Sequence, residues 1–172
     1  MSICSMIRKL FLKRVNKRII STAKNVGVRF INNSFSSKVN RNTIIGDDVS
    51  FNGLRIVGDG GVKIGSHFRC AEGCFIITEN HDYDNGGELP YDHERSIVRD
   101  VVIEENVWLG TNVIVLPGAH IKEGAIIQAG SVVMGEIDKC GIAGGHPAKV
   151  FKYRNFEHYE ILKRENADIQ NV

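Results

Sequence analysis

Six apolar residues stand six apart in the second half of the chain: Ile103, Leu109, Val115, Ile121, Ile127 and Val133. Each is followed four positions later by a smaller or β-branched residue, in order Val107, Val113, Ala119, Ala125, Ser131 and Ile137. A helix repeats its faces about every 3.6 residues and a strand repeats them every second residue, so neither produces a stripe at every sixth position. A short strand and a tight turn, laid down repeatedly around a coil, do produce it. The spacing predicts a solenoid in which each hexapeptide forms one side of a coil and sends two residues inward.

The same ladder is legible earlier, through Val39, Ile45, Phe51 and Val57. It slips by one residue at Gly58, Asp59, Gly60 and Gly61, as a bulged corner would, and resumes at Ile64, Cys70 and Ile76. With 172 residues and 42% hydrophobic content the chain suits one domain with a continuous core. Cys70 and Cys74 fall on the two inward positions of one hexapeptide and read as small hydrophobes. Four cysteines without a secretory pattern point to a reducing cytoplasm and free thiols, and no metal site is expected. No apolar run is long enough for a membrane-spanning helix.

Two segments depart from the repeat. Within the N-terminal segment 1–25, residues 1–20 hold Arg8, Lys9, Lys13, Arg14, Lys17 and Arg18 and no acid, so they carry +6 while the remainder carries −4. Ile7, Phe11, Val15 and Ile19 recur at four-residue spacing and predict a short basic amphipathic helix over 6–20. Two roles are open to it: capping the open end of the coil, or peripheral contact with the inner face of a membrane. The second departure, 78–100, is polar and has no core periodicity. A loop of that length contributes little to packing and is usually functional, which makes it the place to look for a site. Beyond the coil (26–150), Asn155 offers an N-cap to a helix over 155–166 inside the closing segment 151–172.

The runs Ile103 to Val113, Gln128 to Val133 and Gly144 to Val150 resemble the hexapeptide-repeat acyltransferases, most closely the galactoside, maltose, streptogramin and surface-polysaccharide O-acetyltransferases. The resemblance covers about 39–155. It implies an all-β, left-handed parallel β-helix interrupted by one long loop and flanked by an N-terminal and a C-terminal helix. It also implies a homotrimer with acetyl-CoA as co-substrate, held in a groove that a loop histidine reaches. Handedness comes from the family alone, because parallel crossovers are otherwise right-handed.

By the same resemblance His81 is the general base. A sugar hydroxyl is too weak an acid to attack a thioester unaided, and imidazole is the side chain whose ordinary titration spans neutrality. Asp82, Asp84, Glu79 or a backbone carbonyl could orient its ring. Trp108, Gly110, Thr111 and Ala129 match family positions beside the cofactor, and Lys149 and Arg154 suit its phosphates. Asn80, Tyr83, Asp84 and His93 are the candidates for the acceptor, a sugar, glycan or nucleotide sugar, and His93, deeper in the same loop, is also the rival of His81 as base. His67 and His120 sit at turn positions and read as solvated. No nucleic-acid partner is expected. N-acetylation of an amino-sugar nucleotide is the nearest alternative. A zinc-type anhydrase would need three converging histidines, and a mere trimeric scaffold would need neither the histidine loop nor the Trp-Leu-Gly-Thr run.

Overall fold

The computed structural model describes residues 3–170, with side chains from 5 to 165. Cys4 lies outside the described side chains, and residues 1, 2, 171 and 172 of the two flanking segments lie outside the description altogether. After helix α1 (Ile3–Thr22) the chain winds through short strands that stack into three parallel faces of a prism. The first face has six strands: Asn25–Val26, Thr43–Ile45, Val62–Ile64, Val101–Ile103, His120–Ile121 and Glu136–Ile137. The second runs from Ile31–Asn32 through Ser50–Phe51, Arg69–Cys70, Trp108–Leu109 and Ile126–Ile127 to a closing pair. The third holds Arg55–Val57, Phe75–Ile77, Ile114–Val115 and Val132–Val133.

Both inward positions of every hexapeptide from Ile103 to Ile137 are buried, including Ser131. The register explains why: Leu109 lies over Cys70 and under Ile127, so identical positions of successive coils form one apolar column. Cys70 and Cys74 are buried within that core, and with Cys140 they are free thiols. Corners are turned by left-handed residues. Between the first and second faces these are Arg29, Asp48, His67, Asn106, Gly124 and Cys140, with φ from 51° to 71°. Asn and Asp tolerate this region better than most residues, and Gly adopts it freely.

One step of the early ladder differs from the sequence reading. Ile56 pairs with Ile76 and is 2% exposed, whereas Val57 points outward at 48%. The corner after Phe51 is one residue short, turned at Gly53 with φ 102°, and the next corner at 58–61 carries two extra residues. The two irregularities leave a net slip of one, so the count alone hides where it falls. Asn40 secures the enlarged corner, donating to the carbonyls of Gly58 and Gly60 at 2.8 Å each.

Both ends are covered, though differently from the sequence reading. In α1 only the last turns lie over the coil: Ile19 is buried and Val15 packs on the core, while Ile7 and Phe11 remain 47% and 52% exposed. Four-residue spacing drifts around a helix, so Ile7 and Phe11 do not share the face of Ile19. At the other end, the chain after the last hexapeptide carries no six-residue pattern, which by itself suggests an irregular exit at 140–150. Instead, Gly141–Gly145 pairs antiparallel with Ala148–Tyr153, which supplies hydrogen bonds to the last edge strand. Helix α2 (Phe156–Gln170) follows, capped by Asn155 Oδ1, which accepts from the His158 amide at 2.9 Å.

Candidate active site

The excursion at 78–100 is a short antiparallel hairpin of Glu79–His81 against Ser96–Val98, standing at the corner between the third and first faces. Two carboxylates shape its tip. Asp82 is buried and accepts from the amides of Asp84 and Asn85 and from the Asn85 side chain at 3.0 to 3.2 Å. The amide bond from Asn85 foremost holds its carboxyl below the usual range. Asp92 does the same for the amides of Gly87 and Glu94. These turns return Tyr91 to His81, where the rings stack with centroids 4.0 Å apart. His93 meets the edge of Tyr91 at 5.1 Å.

Of the carboxylates that could orient His81, Asp82 is therefore committed to the tip. Glu79 lies two residues back on the same strand face. Its carboxyl is lowered chiefly by the Ser96 hydroxyl, then by the Asp59 amide, and in smaller part by the charge of His81. Asn80 projects to the opposite strand face. With Tyr83, Ile97 and Arg99 it forms one wall of a cleft of about 380 Å³, whose other wall is the coil corner at Leu116, Pro117 and Met134.

The other candidate residues occupy other corners. Gly110, Thr111 and Ala129 meet between the second and third faces, where the Gly130 amide donates to the Thr111 carbonyl at 2.8 Å. A Cβ on Gly110 would sit 2.6 Å from the Ala129 nitrogen, so coil stacking by itself requires glycine there. Lys149 is exposed on the closing hairpin, opposite Gly144. Trp108 is 50% exposed on the second face, and with Arg154, His67, Arg69, Tyr159 and Lys163 it lines a cavity of about 250 Å³. The Arg154 guanidinium lies over Tyr159 at 5.7 Å, and its buried Nε has no partner among the described residues.

The structure thus gathers His81, Asp84, His93, Asn80 and Tyr83 on one arm, and separates them from Trp108 and Arg154. The arm leaves the one edge of the prism that does not border the second face, on which Trp108 lies. Tyr91, Arg99, Met134 and Tyr159 carry no spacing signal, since the hairpin and the coil turns bring them in. His120, expected to be a solvated turn residue, lies on a strand with Nε2 2.7 Å from Glu104 Oε1. Among the described residues, no group of three or more His, Cys, Asp or Glu is arranged to hold a metal ion.

A model of the bacterial transferase hexapeptide (six repeats) matches residues 100–135. WbbJ of Escherichia coli K12, described as a putative lipopolysaccharide biosynthesis O-acetyl transferase, is 38% identical over 102 residues, covering 56% of this chain and 52% of its own. The galactoside O-acetyltransferase of Lactococcus lactis is 34% identical over 120 residues, 67% of this chain and 56% of its own. The chain spans about half the length of these curated relatives. A hexapeptide-repeat acetyltransferase from Vibrio cholerae, solved with acetyl coenzyme A, shares the fold with a TM-score of 0.69 and 19% identity, over 88% of this chain and 90% of its own. With the inward ladder and the three-faced coil, these likenesses show an all-β left-handed β-helix of the kind found in hexapeptide-repeat acetyltransferases, with the bacterial transferase hexapeptide at residues 100–135.

Proposed function

We propose that this protein moves an acetyl group from acetyl-CoA to a hydroxyl of a sugar or surface polysaccharide, with His81 as general base. The observation that carries the reading is the arm: an imidazole held clear of the coil, braced by Tyr91 and flanked by hydrogen-bonding groups. In the reaction the acceptor oxygen attacks the thioester carbonyl as His81 Nε2 or Nδ1 takes its proton. Collapse of the tetrahedral adduct breaks the carbon–sulfur bond, and the imidazolium returns the proton to the departing thiolate.

The residues present suit the donor. Arg154 offers an unpaired buried donor beside an exposed indole, and Lys149 adds a cation. The exposed small residues Ala129 and Gly130 let an extended chain approach the backbone. Because arm and indole occupy remote parts of one chain, the reading includes a homotrimer in which the arm of one copy reaches Trp108 of the next.

The test is thiol release from acetyl-CoA across a panel of sugars and nucleotide sugars, comparing the natural protein with His81→Ala. A loss of about 100 to 10,000-fold in kcat on a hydroxyl acceptor is expected. Turnover confined to amino sugars and insensitive to the substitution would assign N-acetylation instead.

A further inference from the structure

No carboxylate side chain occurs before Asp47, while the first 46 residues hold ten lysines and arginines. Folding places this charge on α1 and the first coil, whose strands are the edge strands of two faces, with Glu72 lining a cavity beside Arg8, and Asp59 and Asp100 one beside Lys24. Lys24, Arg29 and Lys38 are exposed around this end of the coil. The same end shows apolar groups that no described residue covers. On α1, Met6, Ile7, Leu10 and Phe11 are each about half exposed. Phe11 meets Phe35 of the first coil edge-on at 6.4 Å, which joins the helix patch to the coil.

We propose that this end docks on an anionic lipid bilayer, with Leu10 and Phe11 entering the headgroup boundary and the cations facing lipid phosphates. Neither property alone selects a bilayer. Charge alone would serve any polyanion, and apolar residues alone would serve a protein partner, but a membrane surface takes both. Docking by the end of the prism leaves the arm at 79–98 free along its side.

The experiment is co-sedimentation of the full chain with vesicles of phosphatidylcholine alone and of phosphatidylcholine mixed with phosphatidylglycerol, at low and high salt. Binding is expected only to the mixed vesicles, and it weakens as salt rises. Replacing Lys24 and Arg29 by Gln weakens it about fivefold per cation. The pair Leu10→Gln and Phe11→Gln weakens it about tenfold or more, while thiol release with soluble acceptors, melting temperature and oligomeric mass stay unchanged. Absence of binding at low salt overturns the proposal. So does binding indifferent to the Leu10 and Phe11 change, which charge attraction alone would explain. A drop in oligomeric mass on that change would assign the patch to contacts between copies and also overturn it.

Discussion

The imidazole of His81 lies flat against the phenol ring of Tyr91, the two planes 9° from parallel. A stacked neighbour fixes the ring plane without using either ring nitrogen, which leaves both free for proton transfer. Tyr91→Phe keeps the stack and is expected to retain near-normal kcat. Tyr91→Ala removes it and lowers kcat by about 2 to 10-fold, the worth of one aromatic pair, with KM for acetyl-CoA unchanged. Steady-state kinetics of both variants with one sugar acceptor checks this. Equal losses in the two would mean that the hydroxyl, rather than the stack, matters.

The remoteness of His81 from Trp108 along one chain predicts complementation. On the proposed homotrimer, separately inactive His81→Ala and Trp108→Ala proteins, unfolded together and refolded as a mixture, should regain activity. Random assembly places an intact arm against an intact indole at about a quarter of the interfaces of a closed ring. Mixtures that stay at the level of the separate variants would show that each chain builds its site alone.

Placing Ile56 inside and Val57 outside predicts unequal costs for two adjacent substitutions. Ile56→Ala should destabilise by about 2–5 kcal/mol through lost burial and a cavity. Val57→Ala should change stability by about 0.5 kcal/mol or less. Urea denaturation midpoints distinguish this register from the uninterrupted six-residue count, for which the order would be reversed.

Glu123 ties α2 to the coil, accepting from Tyr159 Oη at 2.9 Å and from Lys163 Nζ at 2.8 Å, with Lys139 at 3.4 Å. Partial burial pushes its carboxyl up, but the hydrogen bonds from Lys163 and Tyr159 outweigh that and leave it below its ordinary value. A lowered folded value means that the contribution to stability is complete above roughly pH 4 to 5 and is lost as pH falls through the folded value. Glu123→Gln should cost about 1–3 kcal/mol at neutral pH and flatten the acid limb of the melting-temperature profile. A parallel acid limb in the variant would remove Glu123 from that linkage.

The inward ladder, the corners and the N-cap at Asn155 were legible because each depends on neighbours in sequence: a six-residue period, a tolerant residue at positive φ, a side chain reaching its own helix. Ile56 was missed because two opposite irregularities nearly cancel in a count. The outward turn of Ile7 and Phe11 was missed because a spacing of four drifts around a helix that touches the coil only at its end. The hairpin within 78–100 was invisible to periodicity, since Asp82 and Asp92 shape it through hydrogen bonds to backbone amides rather than through apolar pattern.

A coil of hexapeptides, its inward residues and the polar interruption that holds His81 are written in the order of residues, because apolar burial in a repeated unit leaves the same pattern at every turn. That His81 rests on Tyr91, that Glu79 rather than Asp82 shares its strand face, and that Trp108 and Arg154 lie away from the arm follow from the folded chain alone. Those relations depend on how turns and coils bring distant residues together through space, and no local spacing records that.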